Sequence, residues 1–255
     1  MERSRAFDEN LYSFVSMLGG APGGGRLEFS GVSLAVSSGR PYAGENYALF
    51  GMGAKESDVD SAAAFFRGRC SDFIVPLLPQ TPFSLTAAFE SNNLERRRIY
   101  TSMILPEEQL NEKNDALSDD IVEISNRDAL DWGSAAWFAF GGEAGEEADS
   151  YKEYGAWLAL HPDNRAFALK HEGRFVSTAL IHETRRTFGL YYFATLPEYR
   201  RKGFAARLMG GLTAVLAGGE KPLVLLATEQ GFPFYLSCGF KVIDRVPVCS
   251  TTDDI

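Results

Sequence analysis

Cysteine and histidine are scarce in this chain of 255 residues, with three of each. Neither residue type recurs at an interval that would let several side chains bind one metal ion, and an odd cysteine count does not suit a disulfide framework. A zinc site and a Ser-His-Asp triad are therefore disfavoured, no metal is expected, and the histidines are interpreted as surface or packing residues. The six positions are Cys70, Cys238, Cys249, His161, His171 and His182.

Long hydrophobic runs and an excess of positive charge are also missing. No stretch reaches the roughly 18 apolar residues of a membrane span, and segment 1–8 has no apolar core typical of a signal peptide. The formal net charge of −9 argues against broad nucleic-acid binding. The glycines at 23–25 lack the Gly-Lys-Ser/Thr that completes a P-loop. With few cysteines, a reducing cytoplasm is the simplest location, and we expect no membrane or nucleic-acid partner.

What the chain has instead is a basic, glycine-containing turn between two apolar segments. Residues 190–195 are apolar and aromatic, Pro197 follows in a short turn, and residues 200–202 are Arg-Arg-Lys. Residues 203–215 then form a predicted amphipathic helix that begins with glycine. The first amides of such a helix have no partner inside it and, with the helix dipole, they attract an anion. The pattern predicts a phosphate site where the strand meets the helix.

This segment resembles the acyl-CoA pyrophosphate loop of the GNAT superfamily of N-acetyltransferases. That family places Arg or Gln first, Gly fourth and Gly or Ala sixth, which here are Arg200, Gly203 and Ala205. The resemblance implies that residues 201–206 cradle the pyrophosphate of acetyl-CoA, and that positions 193–195 hold the pantetheine and polarise the thioester carbonyl. It implies a set of cofactor-binding residues that ends with Thr228, at a position where many members have an asparagine. They are Phe193, Ala194, Thr195, Arg200, Arg201, Lys202, Gly203, Phe204, Ala205, Ala206 and Thr228.

A second part of the resemblance lies downstream. Residues 223–227 form a continuous apolar run, typical of a strand buried on both faces, and residues 234–240 read Phe-Tyr-Leu-Ser-Cys-Gly-Phe. Gly239 suits a left-handed helix C-cap. In many GNAT members a tyrosine four residues before this glycine protonates the departing CoA thiolate. Tyr235 holds that position and is the catalytic candidate, and its alternative role is that of a half-buried packing aromatic.

The order of predicted elements between 119 and 250 is also similar to that of a GNAT domain. The resemblance implies an α/β (α+β) fold with a mixed, mostly antiparallel central sheet. Ser125 or Asn126 is the expected cap of the first helix. The predicted elements are a strand at 121–124, helices at 125–138 and 150–160, a loop at 139–150, and strands at 167–170, 176–183 and 189–195, with a hairpin turn at 172–174.

The N-terminal half resembles the degenerate GNAT-like half that precedes the catalytic module in some members and does not bind CoA. Its pattern is strand, helix, strand, helix, strand, but segment 51–56 lacks the Arg-x-x-Gly-x-Gly/Ala motif. An unrelated α/β cap is the alternative. The predicted domains are 1–115 and 119–255. Before the boundary we expect a helix at 7–18, strands at 47–50, 73–78 and 99–105, and helices at 57–69 and 81–92, the last capped by Thr81, while apolar and polar residues alternate partly over 27–36.

The resemblance implies an N-acetyltransferase that moves the acetyl group of acetyl-CoA to a primary amine by direct attack in a ternary complex. The acceptor would be a small molecule or a peptide. The alternatives are an acyl-CoA-binding sensor or pseudoenzyme without turnover, and a transferase of a longer acyl group. No motif marks the general base, for which Glu153, Glu183 or a base acting through water are candidates. The sequence does not determine the acceptor or the oligomeric state.

Loop 139–150 borders the amine site in the GNAT fold and is rich in acidic residues. Its carboxylates would attract a cationic amine, and the alternative is a mobile, solvated loop whose glycines favour disorder. The acidic residues are Glu143, Glu146, Glu147 and Asp149.

Overall fold

The computed structural model describes residues 2–69, 71–111 and 118–253, and in it the chain forms two compact units built from several segments each. Unit 1 comprises Met1–Asn10, Met103–Leu225 and Gly231–Val242, and unit 2 comprises Leu11–Ser102, Leu226–Gln230 and Ile243–Ile255. The division into 1–115 and 119–255 stays a prediction, and most of that boundary, 112–117, lies outside the described residues, as does Cys70.

The elements of the described residues are numbered in chain order. The helices are α1 (Glu2–Leu18), α2 (Glu56–Arg67), α3 (Thr86–Ser91), α4 (Glu107–Asn111), α5 (Ala129–Ala139), α6 (Glu146–Leu160), α7 (Phe204–Leu216) and α8 (Phe232–Ser237). The strands are β1 (Gly25–Phe29), β2 (Ser33–Ser37), β3 (Asn46–Leu49), β4 (Ile74–Pro76), β5 (Glu95–Leu105), β6 (Ile121–Glu123), β7 (Asn164–His171), β8 (Arg174–Glu183), β9 (Phe188–Thr195), β10 (Leu223–Ala227) and β11 (Lys241–Ser250). Of the helices described, none is both long and apolar enough to cross a membrane.

In unit 2 the strands follow the order β1-β2-β3-β4-β11-β5. β1 and β2 form an antiparallel hairpin, so the partly alternating residues 27–36 do not form one continuous strand. The reason is a tight turn at Gly31 and Val32, whose φ angles are +69° and +57°, a conformation that a strand does not contain. The core of this unit includes Phe66 and Phe73, whose rings stack with centroids 4.1 Å apart.

The predicted order of strand, helix, strand, helix, strand in the N-terminal half is confirmed by β3, α2, β4, α3 and β5. The helix predicted at 81–92 is shorter, because a 3-10 helix at Phe83–Leu85 precedes α3. Thr81 does not cap it. Its hydroxyl oxygen accepts a hydrogen bond of 3.1 Å from the Leu78 amide and closes a turn instead.

In unit 1 the strands follow the order β10-β9-β8-β7-β6. Neighbouring strands are antiparallel from β6 to β9, whereas β9 and β10 are parallel. The hairpin predicted at 172–174 is confirmed, because β7 and β8 pair from Asn164↔His182 to His171↔Arg174. The mixed, mostly antiparallel sheet of the α/β prediction is therefore present.

Helices α5 and α6 cross closely in unit 1, and α5 packs on β8 and β9. The crossing depends on two glycines. A Cβ on Gly133 would lie 2.4 Å from the Lys152 carbonyl oxygen, and a Cβ on Gly155 would lie 2.4 Å from the Gly133 Cα. The two helix backbones therefore approach more closely than larger side chains allow.

The helix α5 begins at Ala129, later than the predicted position 125. The Ser125 hydroxyl donates a 2.8 Å hydrogen bond to the Asp128 carboxylate, which folds the preceding residues into a turn outside the helix. Asp128 is the N-cap residue, so the prediction of Ser125 or Asn126 as the cap is wrong.

The helix α6 begins at Glu146, earlier than the predicted position 150. Its first turn contains three of the four acidic residues that were predicted to lie in a loop, namely Glu146, Glu147 and Asp149. Carboxylates are favoured at this end because they face the positive end of the helix dipole. The connection between α5 and α6 is therefore short, and Glu143 is the acidic residue it retains.

Candidate active site

The turn between β9 and α7 presents a helix N-terminus to solvent. Gly203 is the N-cap residue with φ +85°, and Arg201 also adopts a positive φ, +59°. The first backbone hydrogen bond of the helix is donated by the Arg207 amide to the Gly203 carbonyl, at 3.0 Å. The amides of residues 204–206 precede it and have no partner inside the helix. Because Arg201, Lys202 and Gly203 are exposed, this turn is open to an anionic ligand.

Arg200 differs from the other basic residues of the turn because its guanidinium contacts the protein. Its Nε donates to the Thr195 carbonyl at 3.0 Å, and its Nη2 donates to the Ala139 carbonyl at 2.9 Å. The side chain therefore ties the end of β9 to the end of α5. This geometry favours a role in shaping the turn, with part of the guanidinium's hydrogen-bonding capacity used on carbonyls.

Phe204 forms the inner side of the turn. Its buried ring packs against His171, with centroids 4.9 Å apart, and against Tyr199, with centroids 5.6 Å apart. Lys202 Nζ lies 5.6 Å from the Tyr199 ring centroid. A ligand at this turn would meet the Phe204 amide and not its side chain, and His171 is a packing residue, as predicted.

Strand β9 contains a bulge beside the predicted pantetheine positions. Its register with β8 passes from Leu180↔Tyr191 to Thr178↔Ala194, so β9 has one residue more than β8 in this interval. Tyr192 has φ +48°, and its carbonyl accepts a 3.0 Å hydrogen bond from the Thr178 hydroxyl. The bulge re-aims the backbone directly before Phe193.

The parallel pair of β9 and β10 is short. Its register covers Leu223↔Phe188 and Val224↔Gly189, so residues 190–195 of β9 are not paired with β10 in the part of the chain that the structure describes. Strands that separate in this way leave backbone donors and acceptors for a ligand. The separation lies on the strand that carries Phe193.

Tyr235 packs against this strand from α8. Its ring centroid lies 6.0 Å from that of Phe193, 5.5 Å from that of Phe234 and 5.6 Å from that of Phe240. Burial, reinforced by the Cys238 thiol, raises the pKa of the phenol above its usual value, so the hydroxyl is protonated at neutral pH. Among the described residues it has no hydrogen-bond partner, which leaves its proton available to a ligand.

The short helix that carries Tyr235 ends as predicted. Gly239 adopts φ +96° two residues after the end of α8, and the Phe240 amide donates to the Tyr235 carbonyl at 3.1 Å, a C-cap arrangement that favours glycine. Thr228, in contrast, is exposed directly after β10 and belongs to unit 2.

An aromatic cluster surrounds the side chain of Tyr192. Its hydroxyl lies 3.2 Å from the hydroxyl of buried Tyr154, and its ring meets Trp132 and Phe140 at centroid distances of 6.1 Å each. Phe140 is 59% exposed. The cluster is a partly open aromatic surface next to the bulge, and the aromatic residue types are the only signal of it in the sequence.

The connection between α5 and α6 is anchored to Trp137. The indole Nε1 donates to the Glu143 carbonyl at 2.7 Å, and a Cβ on Gly142 would lie 2.1 Å from the indole ring. The backbone of this connection therefore lies flat against the indole, which disfavours the interpretation of a wholly mobile loop.

The two base candidates differ in position. Glu183 pairs with Lys221 and lies opposite Phe188 in the β8–β9 register, roughly 15 Å along the strand from Phe193. This distance disfavours Glu183 as a base that acts there directly. Glu153 is exposed on α6.

The remaining histidines are not grouped for metal binding. His182 is fully buried, and its Nδ1 lies 2.8 Å from the Asn164 Oδ1. Its burial lowers its pKa to about 4, so it is a neutral packing residue. His161 is partly exposed beside Trp157. Within the described residues, no group of three or more His, Cys, Asp or Glu side chains is arranged to hold a metal ion.

Comparison with known proteins places this site within one family. The sequence model of the acetyltransferase (GNAT) family matches residues 127–240, a range that contains the turn, the bulge and Tyr235. No curated protein matches the chain significantly in sequence.

Solved structures similar to this fold include several acetyltransferases. A GCN5-related N-acetyltransferase from Kribbella flavida is 12% identical, with a TM-score of 0.64 and coverage of 94% of both chains. A tandem GNAT protein from the clavulanic acid biosynthesis pathway is 14% identical, with a TM-score of 0.62 over 94% of this chain and 86% of its own. A GCN5-related N-acetyltransferase from Sphaerobacter thermophilus is 14% identical, with a TM-score of 0.59 over 88% of this chain and 81% of its own. At these identities the likeness concerns the fold, including its two-half architecture.

Proposed function

Since this chain belongs to the GNAT family of acyltransferases, we propose that it transfers the acetyl group of acetyl-CoA to a primary amine in a ternary complex. The observation that carries the proposal is the position of Tyr235, a protonated phenol that packs on Phe193 beside the bulge of β9 and has no hydrogen-bond partner among the described residues. The open helix N-terminus at Gly203 continues from the same strand. Together they would place a phosphate site at the end of β9 and a proton donor against the same strand.

The donor would bind along β9 and the start of α7. The amides of residues 204–206 and the positive end of the helix dipole would bind the pyrophosphate, and Arg201 and Lys202 would add attraction at the surface. Arg200 would hold the turn in shape through the Thr195 carbonyl. The pantetheine would lie against 193–195, where β9 has separated from β10.

The reaction needs one bond formed, one bond broken and two proton movements. The neutral amine attacks the acetyl carbonyl carbon, and backbone donors near the bulge would stabilise the oxyanion. The C–S bond then breaks, the thiolate takes the proton of Tyr235, and the nitrogen loses its extra proton to a base acting through water. The low-polarity surroundings that raise the pKa of Tyr235 also destabilise a thiolate, which favours this proton transfer.

The amine would approach from the side of α5 and α6. There the Tyr192 side chain presents its hydroxyl beside that of Tyr154, and the exposed ring of Phe140 meets it edge to face. Glu143 and the first turn of α6 contribute negative charge nearby in the chain. This combination of aromatic rings and carboxylates suits a cationic small-molecule or peptide amine. A cytoplasmic location accords with an acetyl-CoA-dependent reaction.

The decisive experiment is mass spectrometry of the purified protein with acetyl-CoA and a broad panel of amines. Acetylated product is the expected result, with calorimetry showing one CoA site. CoA binding without product from any amine would instead identify an acyl-CoA sensor, and product only from longer acyl donors would identify a different transferase.

The donor site is tested separately by the Gly203→Glu variant. We expect loss of CoA binding, because a carboxylate would face the pyrophosphate and because the left-handed φ resists a side chain. The matched control is Gly210→Glu, which adds the same charge on α7 at a position with nothing within 4 Å of a new Cβ and no positive φ. Equal CoA affinity in both variants would contradict the proposed site. Gly203→Asn, which tolerates this φ, separates charge from strain.

A further inference from the structure

Asn10 is a fully buried polar residue on α1 whose side chain is completely hydrogen-bonded within unit 1. Its Nδ2 donates to the Thr187 hydroxyl at 3.0 Å and to the His182 carbonyl at 3.2 Å. Its Oδ1 accepts a 2.9 Å hydrogen bond from the Tyr191 hydroxyl. Burial of an amide is tolerated only when its donors and acceptor are used in this way.

Strand β9 is shaped around this carboxamide. Thr187, Gly189 and Tyr191 alternate along the chain, so they lie on one face of the strand. A Cβ on Gly189 would fall 1.9 Å from the Asn10 Oδ1 and 2.7 Å from the Tyr191 ring. The φ of Gly189 is not positive, so the glycine is needed for space and not for its conformational freedom.

The contact between Asn10 and strand β9 ends at Tyr191, one residue before the bulge. Tyr192 holds a left-handed φ of +48°, which is unfavourable for a residue other than glycine and persists only where the surroundings impose it. On the Tyr192 side, the Thr178 hydroxyl and the Tyr154 hydroxyl fix the residue. The residue before it is Tyr191, whose hydroxyl is held by its hydrogen bond to Asn10.

We propose that Asn10 is a positioning residue that holds the bulge at Tyr192 in the conformation needed for acyl transfer, acting through Tyr191. The inference rests on the proposed function, because the bulge precedes the backbone positions assigned to the thioester. The orientation of the amide is determined by its partners, since the His182 carbonyl accepts only and therefore faces the Nδ2. An oxygen in place of that nitrogen would face a carbonyl oxygen at 3.2 Å.

Two variants test the contact. Asn10→Ala removes the whole carboxamide, and Tyr191→Phe removes one hydroxyl and keeps the ring, so it preserves folding if Asn10→Ala does not. We expect kcat to fall roughly 10- to 100-fold in Asn10→Ala, as misplacement of about 1 Å can produce, with a smaller loss in Tyr191→Phe. The KM for acetyl-CoA should change less than kcat. The double variant should lose less than the product of the two single losses, because both act through one hydrogen bond.

The matched control is Asn164→Ala. This residue is also buried, and its substitution removes two hydrogen bonds, to the Leu158 carbonyl and to His182, neither of which is made with β9. It should be destabilised while kcat stays within about twofold of wild type at a temperature where it is folded. A kcat loss equal to that of Asn10→Ala would overturn the positioning role.

Amide hydrogen exchange tests the inference without a measurement of enzyme activity. Relative to the other strands of unit 1, exchange across residues 188–195 should accelerate in Asn10→Ala and in Tyr191→Phe, whereas the less stable Asn164→Ala should show no extra acceleration there. Unchanged exchange across these residues in both Asn10→Ala and Tyr191→Phe would refute the inference even if the protein acetylates amines. If the wild-type protein binds no CoA and acetylates nothing, the proposed function fails, whereas the exchange result still shows whether Asn10 holds the bulge.

Discussion

Acidification should destabilise the protein because the fully buried His182 has to stay neutral in the folded state. Its Nδ1 lies 2.8 Å from the Asn164 Oδ1, and its side chain is 0% exposed. Burial is the main cause that lowers its pKa from 6.5 to about 4, the Asp163 carboxylate opposes this effect, and His161 adds to it.

The sign and the size of the effect follow from linkage. The unfolded chain takes up a proton near pH 6.5, whereas the folded chain does so only near pH 4. The stabilisation is therefore complete above pH 6.5, decreases as the pH falls, and is lost once the pH is below about 4. The difference between the two pKa values corresponds to roughly 3 kcal/mol in the free energy of unfolding, a large fraction of the usual 5–15 kcal/mol.

Urea unfolding of the wild type and of His182→Gln at several pH values between 7.5 and 4 measures this effect. Other titrating groups contribute equally to both proteins, so the difference between their pH profiles isolates His182. We expect the wild type to lose roughly 3 kcal/mol more than the variant over this range. His171→Gln, at a partly exposed position, is the control for replacing an imidazole by an amide. Equal slopes in the wild type and His182→Gln would refute the reasoning.

Three further predictions concern the proposed site. Tyr235→Phe should fold normally and lose roughly 10²- to 10⁴-fold in kcat with the true acceptor; an unchanged kcat would make Tyr235 a packing residue only. Arg200→Lys should weaken CoA binding about tenfold in calorimetry, because one ammonium does not bridge two carbonyls as a guanidinium does; wild-type affinity would remove its shaping role. Joint substitution of Glu143, Glu146 and Glu147 by Gln should raise the KM of a cationic acceptor at low ionic strength, and salt should abolish the difference; an acceptor KM unaltered at low salt would exclude these carboxylates from recognition.

The elements around the turn were predictable because their signals are local. The apolar run ending at Thr195, the glycine that starts α7 and the glycine that ends α8 each act within a few residues. The strand 223–227 was also predicted with its observed bounds, since a continuous apolar run bounded by polar residues has few alternatives.

The features that the sequence did not predict depend on residues far apart in the chain. The bulge at Tyr192 requires the Thr178 hydroxyl, and tyrosine itself gives no sign of a left-handed φ. The contacts of Arg200 with Ala139 join positions 61 residues apart. The early start of α6 is a different case, because the acidic side chain of Glu146 is itself a local signal for a helix N-terminus and is equally common in a loop.

The hydrogen bond between Asn10 and Tyr191 joins residues separated by 181 positions, and this separation constrains the order of events during synthesis. At roughly 5–20 residues per second, Asn10 is synthesised about 10–35 s before Tyr191. In that interval α1 has no β8–β9 hairpin to pack on, and its carboxamide remains hydrated. Unit 1 therefore acquires its final packing late, through a contact of high sequence separation that slows folding. A fragment that begins at residue 119 would carry Gly189 and the Tyr191 hydroxyl without the side chain that fills the space between them.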